Sequence, residues 1–250
     1  MTSYKKIYLI VGASSDTGIS YIKHLDTKKT QDTLVIAHCR QSADKLEELQ
    51  EQLNHFKMDI IRCDLEKPEF VIDMIARIKE AYGCPTHILH LAASKLEYMR
   101  IKKLDWEIIS KDLEVQVHSI AEIFKTFLPT MLKNKYGRCV IMLSEITLGK
   151  PPKFMINYNI VKSALYGLMK SAAAECAGNN VCINGISPSM IETSFLSNLD
   201  PRQIEMNAQN NAMKRNVLLD EVISGIDFLM SDKASYINGI NLNVSGGNYM

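Results

Sequence analysis

The sequence carries almost no surplus of either charge: 29 basic and 28 acidic side chains leave a formal net charge of +1. No dense Lys/Arg block appears, so the electrostatic footprint of nucleic-acid binding is missing and small, roughly neutral partners are expected. Metal-ligand and disulfide spacing is missing too. The six cysteines, Cys39, Cys63, Cys84, Cys139, Cys176 and Cys182, form no CxxC pair and do not stand at ligand intervals from a histidine. They read as reduced core thiols, and no metal is expected. Residues 1–6 run straight into Ile7-Tyr8-Leu9-Ile10-Val11, too short for the apolar region of a secretion signal and without a cleavage site. The expectation is a cytoplasmic protein with no membrane association, in line with 46% hydrophobic and 23% charged residues. No Gly/Ser-rich or Pro-rich linker interrupts the chain, so residues 1–250 are expected to form one domain.

What the sequence does contain is alternation. Short runs rich in Ile, Val and Leu fall at 6–11, 33–39, 57–62, 87–91, 138–144, 181–187 and 240–244. Helical patterns fall between them at 18–26, 43–55, 68–82, 106–133, 158–177 and 219–230, the third opening on Pro68. This order predicts βαβ units, hence an α/β fold whose seven-stranded parallel sheet is covered by helices on both faces. Ligands of such sheets bind beyond the carboxyl ends of the strands. The residues that follow each strand are therefore the ones to read.

After the first strand, Gly12-Ala13-Ser14-Ser15-Asp16-Thr17-Gly18-Ile19 makes a tight turn into a helix. Free N–H groups and the helix dipole would attract a pyrophosphate there; the plainer alternative is a strand-to-helix turn capped by Ser or Asp. The second strand ends at Arg40, with no Asp or Glu to grip a ribose diol. A guanidinium suits a 2′-phosphate, which favours NADP(H) over NAD(H), although a solvated arginine would look the same. After the third strand, Asp64, followed by Leu65, is placed either to accept from an adenine amino group or to cap the helix near Pro68. Tyr158 and Lys162 stand four apart, on one face of a helix, where the ammonium can stabilise a phenolate. Ser144 precedes them at the end of the fifth strand.

Together these residues resemble the single-domain branch of the short-chain dehydrogenase/reductase family, in the family's order and over nearly the whole chain. The glycine loop is similar at Gly12 and Gly18, the catalytic serine falls on Ser144, and the YxxxK pair falls on Tyr158 and Lys162. Asn184 to Thr193 is similar to the segment that contacts nicotinamide, with Pro188 inside it and with Ile191 and Thr193 at the carboxamide-binding positions. The resemblance implies a three-layer, doubly wound Rossmann fold binding NADP(H). Its cofactor contacts would be Gly12, Ser14, Ser15, Asp16, Gly18, Ile19, Arg40, Asp64, Leu65, Ala92, Ala93, Tyr158, Lys162, Pro188, Ile191 and Thr193. The chain departs from the pattern in four places. Asp16 stands where the middle glycine is usual, and Leu91-Ala92-Ala93-Ser94 replaces Asn-Asn-Ala-Gly. Gln116, counted back from Leu128-Pro129, takes the place of the helix asparagine that holds a water linked to the lysine. Ser189 follows Pro188 in place of glycine.

The implied chemistry is interconversion of a ketone and a secondary alcohol. Tyr158 moves the proton, Lys162 lowers the phenol pKa and holds the ribose, Ser144 donates to the developing alkoxide, and Gln116 relays through water to Lys162. The pattern most resembles 3-oxoacyl-carrier-protein reductases. Lys150, Lys153, Lys214 and Arg215 are candidates to meet that acidic partner, and 194–218 is expected to form a mobile lid. Two other readings stay open: a dehydrogenase of sugars or other small alcohols, and a cofactor-binding homologue with weakened catalysis. The apolar faces of 106–133 and 158–177 are expected to support a homotetramer.

Overall fold

The computed structural model of the chain describes residues 4–29, 31–41 and 43–248. The seven expected strands form β1 (Lys6–Val11), β2 (Thr33–Cys39), β3 (Lys57–Arg62), β4 (His87–His90), β5 (Gly137–Met142), β6 (Val181–Pro188) and β7 (Asn241–Val244). They make one parallel sheet in the order β3-β2-β1-β4-β5-β6-β7. The order reverses between β1 and β4, and at that switch point the loops part and leave a crevice.

The strands lack a polar face because both faces are covered. Along β1, Ile7, Leu9 and Val11 enter one core layer while Tyr8 and Ile10 enter the other. The first layer lies under α3 (Pro68–Tyr82), α5 (Ser119–Asn134) and α6 (Ile156–Cys176). The second lies under α1 (Asp16–Thr27), α2 (Asp44–Gln52) and α8 (Leu219–Met230). In α3, Val71, Met74, Ile75 and Ile78 are the buried residues, the i, i+3, i+4, i+7 stripe of a one-sided helix. All six cysteines are free thiols, five of them buried. Among the described residues no helix is long and apolar enough to cross a membrane.

Gly18 shows how tightly α1 seats on the sheet: a Cβ there would stand 2.4 Å from the Ala13 carbonyl oxygen. Backbone cannot step aside as a flexible side chain can. Gly18→Ala is therefore expected to cost about 1–3 kcal/mol of stability, read as a lower denaturation midpoint at unchanged slope.

Two stretches differ from the expectation. The helix expected over 106–133 is α4 (Trp106–Leu113), a π-helical turn at Glu114–His118, and then α5. A π turn holds more residues than an α turn, so side chains beyond it meet the sheet on a different face from the one an unbroken helix would present. The stretch 194–218 contains α7 (Pro201–Asn210), its first turn capped by Asp200, which accepts from the Arg202 N–H at 2.9 Å.

Candidate active site

The carboxyl ends of the central strands open into a cavity of about 960 Å³, at the upper end of the usual size range for small-molecule and cofactor sites. Gly12, Ser14, Ser15 and Asp16 form one wall, at the β1–α1 turn. Gly12 has φ +83°, and a Cβ there would lie 2.8 Å from the Ala92 nitrogen, so only glycine lets this turn and the strand-4 turn close on each other. Several of the turn's own N–H groups are used internally. Ala13 donates to the His38 carbonyl at 2.7 Å, Ser15 donates to the Gly12 carbonyl at 3.1 Å, and Gly18 donates to the Ser15 hydroxyl at 3.1 Å. The N–H groups of Ser14, Asp16 and Thr17 have no partner among the described residues and sit at the positive end of α1. That donor set fits a pyrophosphate.

His38, which the sequence reading passed over, holds this turn from below. Its Nδ1 accepts from the Gly12 N–H at 3.1 Å, and its Nε2 lies 3.0 Å from the Cys63 carbonyl. Burial lowers its pKa to about 4, so near neutral pH it is an uncharged bridge from the β1 turn to the end of β3. The only signal in the sequence was a histidine at the end of an apolar strand, two residues before Arg40.

Asp16, in the place of the middle glycine, turns away from the free N–H groups. One carboxylate oxygen accepts from the Ser194 N–H at 2.6 Å, and the other lies 3.5 Å from the Lys45 ammonium. Burial opposes its charge, but Ser194 and Lys45 outweigh that and hold the carboxyl below its usual range. Asp16 thus ties the phosphate-side turn to the segment that follows β6.

Arg40 lines the cavity, as do Asp64 and Leu65, but its guanidinium already has partners. Its Nε lies 3.1 Å from Asp64 Oδ1, and one terminal nitrogen lies 3.0 Å from Glu66. Asp64 also accepts from the Glu66 N–H at 3.2 Å, closing an Asx turn ahead of α3. Ala92 and Ala93 line the floor, and Pro188, Ile191 and Thr193 line the opposite side. Three of the residues named from sequence are absent from the wall: Gly18 is buried behind it, Ile19 packs into the core layer under α1, and Gln116 lies in the π turn.

Ser144, Tyr158 and Lys162 converge on this cavity. Ser144 stands two residues beyond β5 and caps the short helical turn Glu145–Thr147; Tyr158 and Lys162 come from the first turns of α6. The Ser144 hydroxyl acts on the Tyr158 phenol and favours its charged form. The Lys162 ammonium lies 5.7 Å from the centre of the Tyr158 ring and donates to the Met142 carbonyl at 2.9 Å. Desolvation raises the Tyr158 pKa and Glu145 adds to the rise, while the Ser144 hydroxyl opposes it. Burial lowers Lys162 to about 7 against the pull of Asp112.

Gln116 is not among the residues that line the cavity. It sits in the π turn, 1% exposed, with no hydrogen-bond partner for its Oε1, and its neighbour Val115 reaches the cavity wall. The π turn packs against α6. Of the cations expected to meet an acidic partner, Arg215 is held by both carboxylate oxygens of Glu221, at 2.6 and 2.8 Å. Lys214 donates to the Gln209 carbonyl at 3.1 Å, whereas Lys150 and Lys153 are exposed. The far side of the cavity is apolar. Leu96, Leu196 and Leu199 form a small cluster there, packed with Met155, Tyr158, Met190, Phe195 and Ile204.

A doubly wound parallel sheet with a serine, a tyrosine and a lysine gathered beyond its central strands defines the short-chain dehydrogenases and reductases, and comparison with known proteins agrees. The family model described as enoyl-(acyl carrier protein) reductase matches residues 12–248. The 3-oxoacyl-[acyl-carrier-protein] reductase of Buchnera aphidicola subsp. Schizaphis graminum is 30% identical over 98% of both chains. Dehydrogenase/reductase SDR family member 4 of Bos taurus is 31% identical over 74% of this chain and 67% of its own length. Among solved structures, levodione reductase superposes with a TM-score of 0.87 at 21% identity, covering 98% of this chain and 97% of its own. The NADP-bound 3-oxoacyl (acyl-carrier-protein) reductase of Agrobacterium tumefaciens gives 0.86 at 23% identity, covering 98% and 95%. The chain belongs to the short-chain dehydrogenase/reductase family and is an oxidoreductase of that class.

Proposed function

We propose that the chain reduces the ketone of a 3-oxoacyl thioester with NADPH, and that the thioester is carried by an acidic acyl-carrier protein. The observation that carries this reading is the apolar wall beside Tyr158, made by Leu96, Met155, Met190 and Phe195. Such a wall suits an acyl chain and offers a sugar almost no hydrogen-bonding groups. At the mouth, a bridge between Met99 and Met155 joins two loops and brings Arg100 to 5.1 Å above the Phe154 ring. Lys95, Lys102, Lys103, Lys150 and Lys153 are exposed on the same loops and form a rim to steer a negative partner.

NADPH, when bound, supplies the hydride. The N–H groups of the β1–α1 turn would hold its pyrophosphate, Ala92, Ala93, Pro188, Ile191 and Thr193 would contact its nicotinamide half, and Lys162 would hold the ribose. Tyr158 gives its phenolic proton to the ketone oxygen, and Ser144 donates a hydrogen bond to the same oxygen as charge develops. Arg40, now paired with Asp64 and Glu66, would hold the 2′-phosphate. Arg40→Ala is expected to raise the KM for NADPH about tenfold while leaving that for NADH nearly unchanged. The same reading makes the whole chain one cofactor-binding unit that works in the cytoplasm as a homotetramer.

The deciding experiment follows NADPH consumption with matched 3-oxoacyl thioesters, enoyl thioesters and keto-sugars, beside a fluorescence titration of NADPH. Turnover confined to the 3-oxoacyl thioesters, faster on the carrier protein than on a small thiol, is the expected result. Turnover of keto-sugars or of enoyl thioesters alone would replace this reading, and binding with no turnover would point to a homologue with impaired catalysis.

A further inference from the structure

After β6 the chain leaves the sheet, runs along the cavity wall and returns at an isolated bridge that pairs Ile191 with Val217. Residues 192–216 therefore form a flap whose two ends meet at its base. Its first turn, Ser194–Leu196, and its helix α7 both face the cavity, which Thr193, Ser194, Leu196, Gln203 and Met206 line. On the substrate side the flap is fastened to the strand-4 loop: the Asn198 side chain donates to the Leu96 carbonyl at 2.5 Å, and Leu196 and Leu199 pack with Leu96. On the phosphate side it is fastened to Asp16, whose Oδ2 accepts from the Ser194 N–H at 2.6 Å. We propose that Asp16 is a positioning residue that latches this flap: its bond to the Ser194 N–H holds the flap shut over the pyrophosphate turn, so that the dinucleotide leaves only when the latch opens. This rests on reading the cleft as the NADP(H) site.

An acid in this place needs a reason. The free N–H groups of Ser14, Asp16 and Thr17 sit at the positive end of α1, and an unengaged carboxylate among them would repel a phosphate. The Asp16 charge is engaged outward instead. Burial works against it, but Ser194 and Lys45 hold the carboxyl below its usual range, so near neutral pH the bond to Ser194 is charge-assisted. The Lys45 ammonium contributes less, because it lies 3.5 Å away on a side chain that is 59% exposed. Ser194 in turn lacks a partner of its own for this proton. It is the first residue of a helical turn, preceded by Thr193 in extended conformation at φ −133° and ψ 172°, and the first N–H of such a turn has no acceptor within it. Asp16 supplies that acceptor. A glycine at position 16 has no side chain to reach the flap, so the latch belongs to the residue that replaces it.

The same geometry gives the test. Ser194→Pro removes the donor and leaves Asp16 in place, since proline suits the first position of a helical turn after an extended residue. Asp16→Ala removes the acceptor from the other side. Hydrogen exchange of the cofactor-free full chain reads flap opening at the Leu196, Ser197 and Leu199 amides, which are bonded within the flap, and stopped-flow fluorescence reads NADPH release. Each substitution is expected to speed both by about tenfold while the amides of β1 and β4 stay as they are. The double variant should be no faster than either single one, because both break the same bond. Unmoved exchange in the flap, quicker exchange without quicker NADPH release, or effects that multiply in the double variant would each overturn the proposal. Should one variant fail to fold, the other reads the same bond. A wild type that binds no NADPH would count against the proposed function, while the exchange arm still decides whether Asp16 holds the flap.

Discussion

Tyr158→Phe is expected to bind NADPH as tightly as the wild type and to reduce the ketone about a thousandfold more slowly. The substitution removes one oxygen from a half-buried ring and leaves the fold and the cleft as they are. What it removes is the phenolic proton, from a ring whose centre lies 5.7 Å from the Lys162 ammonium. A reduction cannot end on an alkoxide in an apolar cleft, so the missing proton should appear almost wholly in kcat and hardly in KM. Fluorescence titration gives the binding half and initial rates give the other. Retention of more than a tenth of the rate would mean that the proton comes from another group.

Ser144→Ala should lower kcat by about a hundredfold, the usual scale for losing one donor aimed at a developing oxyanion. It also has a consequence for pH. The Ser144 hydroxyl is the influence that favours the Tyr158 phenolate against desolvation and Glu145. Without it the phenol pKa rises, and oxidation of the alcohol, which needs the phenolate as base, should reach its plateau only at higher pH. A profile whose rising limb stays in place would show that Ser144 does not act on Tyr158.

All seven strands were legible because a sheet buried on both faces leaves continuous apolar runs that polar turns interrupt. The Ser144, Tyr158 and Lys162 grouping was legible as well, since strand ends in this topology point at one crevice. Other features depended on contacts between distant segments. The π turn at Glu114–His118 lengthens one helical turn without disturbing the surrounding periodicity, so the apolar pattern did not announce it. Asp112 looks like one more polar residue on the amphipathic stretch Trp106–Leu113, yet it is buried. Arg40 is a bare cation at a strand end in the sequence. Its pairing with Asp64 and Glu66 exists because β2 and β3 run side by side in register.

The most direct test of the account follows a label. NADPH carrying deuterium at nicotinamide C4 is mixed with the enzyme and a 3-oxoacyl thioester, and the product is read by mass spectrometry and NMR. One deuterium on the carbinol carbon of a 3-hydroxyacyl thioester, formed by the wild type and lost with Tyr158→Phe, is the expected result. Deuterium on an alkane-like carbon of a reduced enoyl chain, or none in any product, would contradict it.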